Sequence, residues 1–114
     1  MNTICLPNQH KTTTVTSTDT NVVLTVTNST NISNLQDFNL IVCSNISQFV
    51  TEEPLPVQIN VNGTAVSLLN RYSLPIKSNR LRTRKLYYGA YVVPETGNPY
   101  VILFNTPSCP QYAL

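Results

Sequence analysis

Charge is scarce in this chain. Acidic and basic side chains make up 11% of its 114 residues, under half of the roughly 25% usual in globular domains. Polarity comes instead from Thr, Asn and Ser. A free, highly soluble monomer ordinarily carries more charge, so the composition suits a chain whose surface is partly covered in an assembly. Tryptophan is absent, and Gly63, Gly89 and Gly97 are the only glycines, which leaves no glycine-rich loop to cradle a phosphate. Of the five acids only Glu52 and Glu53 adjoin. Neighbouring residues on a strand point to opposite faces, so no carboxylate pair for acid–base chemistry is expected. The single histidine, His10, has no acid before Asp19 to orient it. A nucleophilic pair of His10 with Cys5 or Cys109 is weighed against an exposed or hydrogen-bonded imidazole in an irregular stretch, and the second is expected. The chain reads as no enzyme, with no catalytic residues.

Long apolar runs are missing as well. None approaches the ~20 residues that span a bilayer as a helix, and residues 1–20 lack a basic segment followed by an apolar one. No membrane association is expected. The chain is expected to be made in the cytoplasm and kept there, or to leave it inside a particle. The three cysteines, Cys5, Cys43 and Cys109, are an odd number and fit a disulfide framework poorly. Cys43 ends an apolar run and reads as a buried thiol. Cys5 and Cys109 are expected to stay unpaired under reducing conditions. Together with His10 the three would make a Cys3His set of the right composition for zinc, but no CxxC spacing is present, and neither metal nor cofactor is expected. Four Asn-x-Ser/Thr sequons, starting at Asn28, Asn31, Asn45 and Asn62, read as chance in an Asn/Thr/Ser-rich chain.

The sharpest positive signal is Asn62-Gly63, a dipeptide suited to a two-residue hairpin turn in which both central residues take φ > 0. With that turn Val61 faces Thr64, Ile59 faces Val66 and Val57 faces Leu68. One face is then apolar, and Gln58, Asn60, Ala65 and Ser67 share the other. Further strands are expected over 22–27, 38–43 and 100–105, with a polar edge strand or arm over 12–18. One long strand is expected over 81–93, with Leu86, Tyr88, Ala90 and Val92 on its apolar face and Gly89 at a bulge or bend. A second hairpin turn is expected at Glu95-Thr96-Gly97-Asn98. No 3.6-residue pattern is sustained. These signals indicate an all-β domain of about seven or eight short strands, a sandwich or small barrel, with a single antiparallel β-sandwich favoured. Residues 1–20 form an irregular N-terminal arm or edge strand, and 21–114 the sandwich.

The little charge there is lies unevenly. Between Pro54 and Pro94 stand Arg71, Lys77, Arg80, Arg82, Arg84 and Lys85 with no acid, a charge of +6, while the rest carries −4, giving the net +2. On an extended strand Arg80, Arg82 and Arg84 would share one face at a spacing of ~6.6 Å, suited to acidic side chains or phosphates. The alternative is a solvated basic edge that blocks aggregation. Tyr87, Tyr88 and Tyr91 follow closely and would stack on bases in a nucleic-acid reading. The modest overall charge argues against a dedicated nucleic-acid binder.

The hairpin "VQINVNGTAVSLLNRYSLPI", followed by "LRTRKLYYGAYV" and "PYVILFNTP", resembles the small β-rich virion proteins of tailed bacteriophages, the auxiliary or decoration proteins of capsids among them. The resemblance covers about the C-terminal half. It implies a non-enzymatic virion structural protein that binds the major capsid protein or other virion subunits and reinforces the shell, as a homo-oligomer or lattice-bound copy. Arg71, Lys77, Arg80, Arg82, Arg84 and Lys85 are then its docking charges, and residues 8–18 a reaching arm. A tail or connector component, a small nucleic-acid-binding β-domain and a glycan-binding β-sandwich are the alternatives.

Overall fold

The computed structural model describes residues 9–42, 54–82 and 84–106. Cys5, Cys43 and Cys109, and the expectations for their thiols, lie outside these residues. Eight strands follow in chain order: β1 (Gln9–Ser17), β2 (Val22–Val26), β3 (Asn39–Ile41), β4 (Val57–Val61), β5 (Thr64–Leu69), β6 (Leu86–Tyr87), β7 (Gly89–Val92) and β8 (Tyr100–Leu103). They form one sheet in the order β6-β3-β1-β2-β4-β5-β8-β7.

The two ends of that order are neighbours in sequence. β6 pairs antiparallel with β3, and β7 pairs antiparallel with β8. Asp37 bridges Ala90 in the register of Leu40 with Tyr87. The segment 86–92 therefore touches both ends of the sheet and nearly closes it into a barrel. Main-chain bonds from Phe38 N–H to the Gly89 carbonyl and from Phe104 N–H to the Tyr88 carbonyl, both 2.8 Å, hold the seam.

All-β character and strand number match the sequence reading, but the antiparallel sandwich does not. Three of the pairings, β1 with β3, β2 with β4 and β5 with β8, are parallel. Alternation fixes which face of a strand is buried, not which strand lies beside it. A sheet curling onto itself satisfies the same pattern as two packed sheets. The inward faces of all strands meet in one core, with Val22, Leu24, Leu40, Ile59, Leu68, Tyr87 and Leu103 almost wholly shielded. Each such side chain contributes about 1.5–3 kcal/mol on burial.

The hairpin expected around Asn62-Gly63 is present with its register, including Ile59 opposite Val66 and Val61 opposite Thr64. Its two turn residues have φ of 54° and 83°, which only a short polar side chain or glycine tolerates easily. Two other expectations are corrected. Residues 9–17 are no free arm: β1 lies inside the sheet, bonded to β3 at Gln9–Lys11 and to β2 from Thr12 onward, with a bulge between Thr12 and Thr14. The stretch 81–93 is no single strand. Its first part is irregular, and its core face carries Tyr87, Gly89 and Tyr91 while Tyr88 is exposed. Gly89 explains that inversion, because a Cβ there would meet the Ile102 carbonyl oxygen, Leu103 Cδ2 at 2.7 Å and the Phe38 carbonyl oxygen at 3.0 Å. The core at this point has room for backbone only, so the bulky tyrosines flank it on the inner face.

Asparagine side chains stitch the barrel together. Asn62 Oδ1 accepts from Ile32 N–H, and its Nδ2 donates to the Ile32 carbonyl, each at 3.0 Å. Asn105 accepts from Tyr88 N–H at 2.9 Å and donates to the Leu86 carbonyl at 3.1 Å. Asn34 accepts from Val93 N–H at 2.7 Å. These amides supply the donor and acceptor of a missing strand residue. The Asn-rich composition is thus partly structural.

Candidate functional site

The basic residues lie on the connection from β5 to β6. After β5 the chain makes a tight loop in which Asn70 Oδ1 accepts from Tyr72 N–H at 2.9 Å and from Leu74 N–H at 3.1 Å. This loop presents Arg71, whose guanidinium stacks 5.1 Å from the centre of the Tyr72 ring. The chain then returns beside the sheet through bridges of Pro75 with Leu69 and Lys77 with Pro56. It enters a 3-10 turn, Ser78–Arg80. Ser78 fastens that turn from within: it is buried, its N–H donates to the Leu55 carbonyl at 2.8 Å, and its Oγ accepts from Leu55 N–H at 3.1 Å.

Pinning Ser78 turns Lys77, Asn79 and Arg80 outward. With Pro54 they line an open pocket of about 370 Å³. Two cations beside one amide form a cradle for an anionic side chain. Beyond it Arg82 and Arg84 are exposed while their main-chain groups are tied down. Arg82 N–H donates to the Tyr87 hydroxyl at 2.8 Å and Arg84 N–H to the Val42 carbonyl at 2.6 Å. Arg84 takes a φ of 70°, which breaks any extended run. Lys85 Nζ sits 5.5 Å over the Tyr87 ring. Burial pushes the Tyr87 phenol above its usual range, against the opposing effect of the Arg82 backbone and charge.

The row of Arg80, Arg82 and Arg84 along one strand face is therefore corrected. Arg80 ends a 3-10 turn and Arg84 sits in a left-handed turn, so the three do not repeat at strand spacing. What the structure brings together is Lys77 with Arg80, while Arg71 stands on its own loop. Lys77, Arg80, Arg82 and Arg84 are exposed, and none is held in an ion pair among the described residues.

His10 occupies a different environment from the expected one. It is 1% exposed, within β1. Its ring stacks on Phe38 with centroids 3.9 Å apart, and Nδ1 lies 2.9 Å from the Thr27 carbonyl oxygen. That bond requires the proton on Nδ1, and Nε2 is buried with no hydrogen-bond partner among the described residues. Burial holds the imidazole below its ordinary pKa, outweighing the Thr27 bond. Among the described residues no cluster of His, Cys, Asp or Glu is placed to hold a metal. The β-branched run from Thr12 to Thr18 was the available signal of a strand here, and β1 begins ahead of it at Gln9.

No helix of the described residues is long and apolar enough to cross a membrane. No known protein family, curated protein or solved structure matches this chain.

Proposed function

We propose that this chain is a non-enzymatic structural subunit of a virion, an auxiliary protein that docks on the capsid shell through an acidic surface of the major capsid protein. The observation that carries the reading is the set Lys77, Arg80, Arg82 and Arg84, exposed and without ion pairs among the described residues, in a segment with no acid between Pro54 and Pro94. In a chain this poor in charge, four exposed cations gathered on one connection repel one another, and a complementary surface relieves that repulsion. Their backbone is clamped by Ser78, Tyr87 and Val42, so the side chains start from a fixed scaffold and docking orders less chain. The Lys77–Arg80 pocket accepts a carboxylate, with Asn79 as a neutral donor beside it.

Each contact of this kind is worth little alone. Repetition by the symmetry of a shell multiplies it, because neighbouring subunits raise the local concentration of binding sites. A sheet nearly closed into a barrel also suits the task, since it offers few open strand edges to stray pairing.

The test is quantitative mass spectrometry of gradient-purified particles made by cells that carry the encoding genome, normalised to the major capsid protein. A shell protein is expected at hundreds of copies per particle. A count of roughly six to twelve, the order of a ring symmetry, assigns the chain to tail or connector. Absence from the particles overturns the virion reading.

A further inference from the structure

Strands β7 and β8 are apolar on both faces. Outward positions Tyr88, Ala90 and Val92 stand beside Phe104, Ile102 and Tyr100, with Ala90 opposite Ile102 and Val92 opposite Tyr100. None of the six carries a charge. Elsewhere in the same sheet the outward positions mix polar and apolar residues: Val23 and Thr25 on β2, Gln58 and Asn60 on β4, Ala65, Ser67 and Leu69 on β5. A strand apolar on both faces is the pattern of one covered on both. Here the inner face is sealed, while Tyr88 is 50% and Phe104 49% exposed on the outer one. Leu35, 69% exposed, stands at the far end of the patch, where its N–H bonds the Tyr91 carbonyl.

We propose that this outer face of β7 and β8 is the surface through which two copies of the chain pair. The occupant follows from the residues themselves. A two-fold axis running between β7 and β8, parallel to the strands, sets each outward residue of one strand against its neighbour on the other. Tyr88 then meets the partner's Phe104, ring against ring. Ala90 meets the partner's Ile102 and Val92 meets the partner's Tyr100, small against large in both cases. Asp37, which bridges Ala90, lies on the flank. That axis places it across from Leu69, the neighbour of Ile102 on β5, and not against its own copy. Two sheets packed this way lie aligned and about 10 Å apart.

The area sets the strength. Half of two aromatic side chains of about 150–250 Å² each, with the aliphatic residues around them, gives roughly 500 Å² per copy. This is as large as the largest patch a monomer usually leaves bare and less than the roughly 800 Å² per partner of a tight complex. The pair is therefore expected to dissociate in the micromolar range. The pairing is separate from the basic pocket and stands or falls independently of the docking reading.

Sedimentation velocity of the full chain from about 1 µM to about 500 µM, with reductant present to exclude cysteine cross-links, tests it. The wild type is expected to pass from monomer to dimer across that range. Tyr88→Lys and Phe104→Glu, both at half-exposed positions, are each expected to raise the dissociation constant at least about tenfold. Mixing the two variants is expected to restore dimers, because the ammonium introduced in one copy then faces the carboxylate introduced in the other. Arg82→Gln is expected to leave association unchanged. For the wild type, amide spectra on dilution should shift at β7 and β8, a readout that no variant can spoil by misfolding. A chain still monomeric at 500 µM, shifts confined to other strands, or folded variants that dimerise as well as the wild type would overturn the proposal.

Discussion

Acid should loosen this barrel through one residue. His10 is neutral in the fold: its Nδ1 proton serves the Thr27 carbonyl, and its Nε2 has no partner among the described residues to receive a second proton's bond. Protonation would place a charge and an unanswered donor beside Phe38. Burial therefore lowers the folded pKa, while the unfolded chain keeps a value near 6.5. Below that value the unfolded state binds more protons than the folded one, so stability falls as pH falls and is restored as pH rises through 6.5. One group gives a slope of at most about 1.4 kcal/mol per pH unit. The window from pH 6.5 to about 5 is favourable, because His10 is the only histidine and carboxylates titrate mostly below it. Urea unfolding at half-unit steps in wild type and His10→Gln measures the effect. At pH 7.5 the variant loses an aromatic stack of about 0.5–1.5 kcal/mol and alters one hydrogen bond of similar worth, so it should be about 1–3 kcal/mol less stable. Its curve should be flat between pH 6.5 and 5, where the wild-type curve falls. A flat wild-type curve, or equal slopes in both proteins, would refute the reasoning.

Three further outcomes follow from packing and charge. Gly89→Ala should cost about 3 kcal/mol or more, read as a lower urea midpoint, because its Cβ has no space against Phe38, Ile102 and Leu103. Asn105→Ala removes the two bonds that tie β6 to the end of β8 and should cost about 2 kcal/mol. Thermal melts should show the loss, and hydrogen exchange should localise it to the seam. The exposed Arg80→Gln, Arg82→Gln and Arg84→Gln changes should each alter stability by less than about 0.5 kcal/mol, so any loss of docking in them reports the interface and not the fold.

What the residues reveal in advance, and what they hide, divides along physical lines. The Asn62-Gly63 hairpin is legible because turn chemistry and alternation are both local and both choose one register. The 95–98 turn is legible for the same reason, and Gly97 takes a φ of 98° there. Barrel closure is not legible, because it depends on which distant strands pair, and a period of two is silent on partners. Gly89 is readable as a bend, yet its effect is a matter of space: it marks where β3 and β8 approach the same backbone. The basic residues are legible as a cluster but not in their arrangement, since Arg84 is one of the few non-glycine residues here with positive φ and nothing in Arg-Thr-Arg-Lys announces it. The burial of His10 is hidden because it arises from Phe38 and Thr27, neither close to it in sequence.

The most direct test of docking compares particle occupancy of the wild type with that of the triple variant Arg80→Gln, Arg82→Gln, Arg84→Gln, each supplied to particles lacking the chain and counted by quantitative mass spectrometry. With the three charges as docking groups, the wild type should load at hundreds of copies per particle and the equally stable variant at least about tenfold less at limiting protein. Equal loading of the two proteins, or no loading of either, would contradict docking through the basic segment.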